Sequence, residues 1–148
     1  MAGNRVSYTL DSTLESVNTA EETAAQLASR IGFEEDDRHR IAMAVREAAV
    51  NAVLHGNGYS PDKKMRISFE NTGDSLVIKI ADEGRGLHEE EIPDPLAPEN
   101  LLKQSGRGIF LIRSFMDEVK FRVLDPGTEI TLIKHVRGNS ADASEATT

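Results

Sequence analysis

The chain has no cysteine among its 148 residues. Disulfides and thiolate catalysis are therefore excluded, and the lack fits a reducing compartment. No apolar run approaches the roughly 20 residues that a membrane-spanning helix requires. The opening residues, Met1-Ala2-Gly3-Asn4-Arg5, carry no apolar stretch of the kind that marks a secretory signal. The expectation is a cytoplasmic protein with no membrane contact. Positive charge is scarce: 17 Lys and Arg stand against 25 Asp and Glu, for a net charge of −8. Such a chain lacks the basic footprint of a nucleic-acid binder, so no direct nucleic-acid partner is expected. Two common phosphate-handling motifs are also missing, the P-loop Gly-x4-Gly-Lys-Ser/Thr and the His-Arg-Asp catalytic loop of protein kinases. There is no internal repeat.

What is present suffices for one core. With 39% hydrophobic and 28% charged residues, a chain of this length folds without a staple. Val6, Tyr8 and Leu10 alternate and predict a first strand. Asp11 and Ser12 offer capping chemistry for a helix carrying Leu14, Val17, Leu27 and Ile31, which Gly32 ends. Asp36 or Asp37 is expected to cap a second helix that runs to His55 and stops at Gly56. Met65, Ile67 and Phe69, then Leu76, Ile78 and Ile80, alternate around a turn at Gly73 and predict a hairpin. From Gly84 to Gln104 the pattern vanishes into prolines and acids, and 87–104 reads as a lid. A short helix from Ile109 to Met116 and two strands, 119–123 and 129–135, complete the order. The fold class is α+β, a mainly antiparallel sheet with helices on one face. Residues 1–137 form one domain, and the small, polar stretch 138–148 is expected to be a disordered tail.

Three clusters carry chemistry. On the second helix, Glu47 and Asn51 lie one turn apart and point into the same small volume. Asn offers a neutral oxygen suited to Mg²⁺, and Glu a base that accepts a hydroxyl proton. The same pair also reads as an ordinary solvated face. His55, alone, reads as a helix-terminal residue. The second cluster, Asp82-Glu83-Gly84-Arg85-Gly86, follows a strand. Its glycines let a flat ligand approach the backbone, and ionised Asp82 accepts a bond from an amino group such as adenine's. A plain strand-exit turn has the same composition. The third cluster, Ser105-Gly106-Arg107-Gly108, is expected to open the last helix, where backbone N–H groups bind anions. Lys103, Arg107 and Arg113 add local positive charge, which an acidic chain needs if it is to hold a polyanion such as ATP. Gly-x-Gly alone is equally a hinge.

The order of the clusters is more specific than any one of them, and it resembles the GHKL superfamily with its Bergerat ATP-binding fold. Glu47 and Asn51 match the N box, Asp82, Gly84 and Gly86 the G1 box, and Gly106 and Gly108 the G2 box. Gly127-Thr128 resembles a late element whose threonine holds adenine through water. Within the superfamily, residues 44–56, 82–87 and 106–112 are most similar to bacterial anti-sigma factor serine/threonine kinases. The likeness spans about residues 6–136. A histidine kinase would need an upstream helical phospho-acceptor segment; one strand and one helix are expected to use the residues before about 35, so no such segment is expected. The resemblance implies ATP and Mg²⁺ as cofactors and Glu47 as catalytic base. It implies a sigma factor and an anti-anti-sigma (STAS) protein as partners, and a homodimer. Two rival readings remain open: a nucleotide-gated binder that transfers no phosphate, and a switch kinase of a STAS protein that binds no sigma factor.

Overall fold

The strands form because β-branched and aromatic side chains alternate with polar ones, so one face of the sheet is mostly apolar. The computed structural model describes residues 4–84, 104–124 and 126–136, the side chains of residues 4 and 104–107 excepted. Strands β1 (Asn4–Asp11), β2 (Lys64–Asn71), β3 (Ser75–Ala81), β4 (Glu118–Val123) and β5 (Thr128–His135) make one sheet in the order β1-β2-β3-β5-β4. Each of its pairings is antiparallel. Register places Met65, Ile67 and Phe69 of β2 beside Ile80 and Ile78 of β3, with Ile130 and Leu132 of β5 next in line.

Helices α1 (Leu14–Ile31), α2 (Glu35–Val50) and α3 (Gln104–Phe115) cover that apolar face. The buried stripe of α2 is Ile41, Ala44, Val45, Ala48 and Ala49, as its period predicts. Alanine also dominates the buried side of α1, at positions 20, 24 and 28, so the two helices lie close together. Ile41, Val45, Ile78, Ile112 and Leu132 are fully buried, and each contributes roughly 1.5–3 kcal/mol of transfer free energy. Lys134 is the exception in this core. Its ammonium lies 3.7 Å from both Asp37 and Asp117, which ties the start of α2 to the turn after α3.

Several local expectations require correction. Thr13, not Asp11 or Ser12, caps α1 by accepting from the Ser16 N–H. Neither Asp36 nor Asp37 caps α2; the N-cap is Glu34, and the two aspartates sit in the first turn, where the helix dipole favours them. The second helix does reach Gly56, but its last six residues, Asn51–Gly56, form a π-helical turn in which the Asn57 N–H bonds to the Ala52 carbonyl. Gly56 does not act as a left-handed stop. Positive φ falls instead on Gly58 and Tyr59, each at 58°. Finally, α3 begins at Gln104 rather than near Ile109. Glycines at 106 and 108 each cost about 1 kcal/mol relative to alanine in a helix, so the sequence reads as loop there. Burial of Ile109, Ile112 and Met116 outweighs that cost. The lid expected over 87–104 lies outside the described residues except for Gln104, and the tail 138–148 lies wholly outside them.

Candidate active site

At one end of the site the chain leaves β3 at Asp82, which is 8% exposed. Its Oδ1 accepts from the Gly84 N–H at 2.9 Å and the Thr128 N–H at 3.2 Å. Its own N–H donates to the Thr128 carbonyl at 3.0 Å. Both side-chain bonds fall on Oδ1, so Oδ2 keeps its capacity to accept from a ligand. Burial pushes the Asp82 carboxyl above the ordinary carboxylate range. The two backbone donors, then Lys63 and Arg66, pull it part of the way back.

Three glycines make this packing sterically allowed. A Cβ on Gly56 would lie 2.9 Å from the Asp82 Cβ and nearer still to the carboxylate. A Cβ on Gly84 would overlap the Gly56 carbonyl, and one on Gly127 would overlap the carbonyl of Asp82. Gly127 also has φ 107°, in the left-handed region. Gly127-Thr128 brings the start of β5 against Asp82. Thr128 itself is buried.

At the other end, Glu47 lies in the last turn of α2 and Asn51 opens the π turn, both half-buried. Gly108 of α3 packs onto them: a Cβ there would sit 3.0 Å from Glu47 Oε1 and 3.9 Å from both polar atoms of the Asn51 amide. The structure therefore brings Glu47, Asn51 and Gly108 to one place. A carboxylate and a neutral carboxamide are hard oxygen donors, and this pair fits Mg²⁺ bound through few protein ligands and phosphate.

The role expected of 106–108 changes in one respect. Gly106 lies in the first turn of α3, where backbone N–H groups have no intrahelical acceptor and suit an anion. Gly108 lies further in, and what it contributes is its bare Cα against Glu47. Arg113 stacks over the Phe121 ring, 5.6 Å from its centroid. Gly86, Lys103 and the Arg107 side chain lie outside the described residues. His55 is exposed on the π turn.

Sequence reasoning missed one element of the site. Asn57, 3% exposed, directly follows the π turn and bonds to Ser12, Lys64 and Glu83. Gly56-Asn57-Gly58 has the composition of a plain turn, which hid it.

Comparison with known proteins agrees with this geometry. Residues 10–134 match the family model of the histidine kinase-like ATPase domain. The anti-sigma F factor of Anoxybacillus flavithermus is 33% identical over 124 residues, covering 80% of this chain and 84% of that protein. The serine-protein kinase RsbW of Oceanobacillus iheyensis is 31% identical over 137 residues, covering 88% and 86%. Among solved structures, the RsbU and RsbW domains of a Mycobacterium tuberculosis protein superpose with a TM-score of 0.64 at 19% identity, over 88% of this chain and 32% of that one. A glutamate and an asparagine one turn apart, a buried aspartate at a strand exit and a glycine-rich helix start are thus set in the fold of ATP-using enzymes, and the chain belongs to the histidine kinase-like ATPase domain family, among the anti-sigma factors and serine-protein kinases.

Proposed function

We propose that this protein is an anti-sigma regulatory factor that binds a sigma factor and uses Mg-ATP to phosphorylate a serine or threonine of an anti-anti-sigma (STAS) protein. The observation that carries the reading is the meeting of Glu47, Asn51 and the bare Cα of Gly108 at the end of α2. In this reading Asp82 Oδ2 accepts from the adenine amino group, and Thr128 with Gly84 and Gly86 frames the base. Asn51 holds Mg²⁺, whose charge offsets that of the phosphates. The N-terminal N–H groups of α3 at Gly106, together with Lys103 and Arg107, bind phosphate oxygens. Glu47 accepts the proton of the substrate hydroxyl as its oxygen forms the new bond to the γ-phosphorus and ADP departs. Positioning and charge stabilisation supply most of the catalysis in phosphoryl transfer, so few residues suffice. Among the described residues no helix is long and apolar enough to cross a membrane. The reading places residues 1–137 as one domain, in the cytoplasm, working as a homodimer.

The test is single-turnover transfer of the γ-phosphate to purified candidate STAS proteins, with sigma-factor capture measured in the same preparation. A phosphoserine or phosphothreonine on the STAS protein is the expected product. Capture of sigma without any transfer would make the protein a nucleotide-gated binder instead, and transfer without capture would make it a switch kinase.

A further inference from the structure

Asp82 is fixed from two sides. Its own N–H bonds to Thr128, which pins the peptide before it. The peptide after it is pinned by Asn57, whose Oδ1 accepts from the Glu83 N–H at 2.7 Å. With both flanking peptides held, the backbone at Asp82 has little freedom, and its side chain is thrown onto Gly56. Asn57 is itself over-determined. Its Nδ2 donates to the Lys64 carbonyl at 3.0 Å and to Ser12 Oγ at 2.9 Å. Ser12 in turn donates to the Lys63 carbonyl at 2.6 Å, and the Glu83 carboxylate accepts from the Lys64 N–H at 2.6 Å. An amide flip is ruled out by chemistry: Glu83 N–H can only donate and Lys64 C=O can only accept. All three contacts are made at a residue 3% exposed, where an unmade bond is costly.

We infer that Asn57 is the positioning residue for purine selectivity, holding Glu83 so that the Asp82 carboxylate meets the edge of the base in one orientation. The inference rests on Asp82 as the adenine acceptor. Adenine presents an amino donor at C6, whereas guanine presents an oxygen acceptor there. A carboxylate held in place favours the first and repels the second, while a carboxylate free to turn away discriminates weakly. A site built to pair one polar group rejects its analogue strongly, but only while the partner stays fixed.

A residue with a purely structural part would lower stability and leave the preference for adenine alone. The experiment is therefore the ratio of ADP to GDP affinity by calorimetry on the full chain, beside thermal melts, for Asp82→Asn, Asn57→Leu and Asn57→Asp. Diphosphates remove the γ-phosphate from the comparison. Asp82→Asn is expected to lower the ratio, because an amide can donate to guanine. Asn57→Leu removes the acceptor for Glu83 N–H and is expected to lower the ratio by about tenfold, the scale of a small misplacement at a built site. Asn57→Asp keeps an acceptor for Glu83 and is expected to hold a ratio near that of the native chain, although it melts lower. If Asn57→Leu does not fold, Asn57→Ser, too short to reach Glu83, carries the same expectation. A native ratio in Asn57→Leu or Asn57→Ser beside an altered one in Asp82→Asn overturns the positioning role alone. An unaltered ratio in Asp82→Asn overturns the adenine assignment, and the inference with it.

Discussion

The two ends of the site are built differently. At the Asp82 end, backbone meets backbone: Gly84 against Gly56, Gly127 against Asp82, with the Thr128 N–H donating to Asp82 and the Glu83 N–H donating to Asn57. At the Glu47 end, side chains meet a bare Cα, and both Glu47 and Asn51 stay half-exposed at a helix terminus. The first arrangement suits a part of the ligand that never changes, the base. The second leaves room for what must come and go: phosphate, metal and a protein hydroxyl. In the proposed function the base would thus meet a carboxylate fixed in packed main chain, and the phosphates, metal and hydroxyl would meet accessible side chains, so substitutions at the two ends should fail in different ways.

The widest separation is expected from Glu47→Ala. Loss of a placed general base costs about 10²–10⁴-fold in rate. Nucleotide affinity and melting temperature should stay close to native, since Glu47 supports neither the core nor the base. Single-turnover phosphate transfer beside ADP titration measures both, and a native transfer rate would remove Glu47 as the base.

Gly127→Ala probes the opposite end. Its φ of 107° and the overlap of a Cβ with the Asp82 carbonyl leave no relaxed solution. Overpacking plus a strained dihedral is expected to cost about 2–4 kcal/mol of stability. Chemical denaturation and ADP titration should therefore decline together, unlike the split expected at Glu47. Retention of both would show that the β5 start does not shape the base pocket.

Gly108→Ala sharpens the contrast on a finer scale. Alanine favours a helix over glycine by about 1 kcal/mol, so α3 should melt no lower and even slightly higher. Yet the new methyl would press Glu47 Oε1, 3.0 Å away, out of position. Transfer is expected to slow by roughly tenfold, the scale of a displaced catalytic group. Equal rates would mean that Glu47 moves aside without consequence.

The smallest expected effect is one of pH. Burial holds the Asp82 carboxyl above its ordinary value of 3.8, so the folded chain binds this proton more tightly than the unfolded chain. Its charge costs stability above the raised value, and that cost is relieved as pH falls from there toward 3.8. Native protein should therefore gain stability relative to Asp82→Asn over this mildly acidic window. Paired denaturant titrations across it measure the difference, and a constant difference would show that Asp82 titrates normally.

The layers of the fold were legible because period carries them: Ile41, Val45, Ala48 and Ala49 for α2, and Met65, Ile67 and Phe69 for β2 all sit where alternation or helical spacing puts them. Spacing and order pointed to Glu47, Asn51 and Gly108, which the fold brings together, and to Asp82 and Gly84, which it also brings together. What stayed hidden depended on contacts between distant segments. Gly108 reads as a loop residue until α3 is seen pressed against Glu47. Asn57 reads as a turn former, and its bonds to Ser12 and Glu83 span 45 and 26 residues. The π turn has no composition of its own, so nothing in Asn51–Gly56 announces it.

That turn makes chain length a determinant at this point. A π-helical turn holds one residue more per hydrogen-bonded ring than an α-helix, and it is equivalent to a single-residue insertion. Removing one residue between 52 and 55 would therefore let α-helix run on with Gly56 and Asn57 close to their present places, beneath Asp82 and beside Glu83. Adding one would exceed what the turn already absorbs and rotate Gly56 and Asn57 by about 100° about the helix axis. Glu47 and Asn51 lie upstream and would keep their places in either case. The segment is thus expected to tolerate a one-codon deletion better than a one-codon insertion, which would part Gly56 from Asp82 and Asn57 from Glu83.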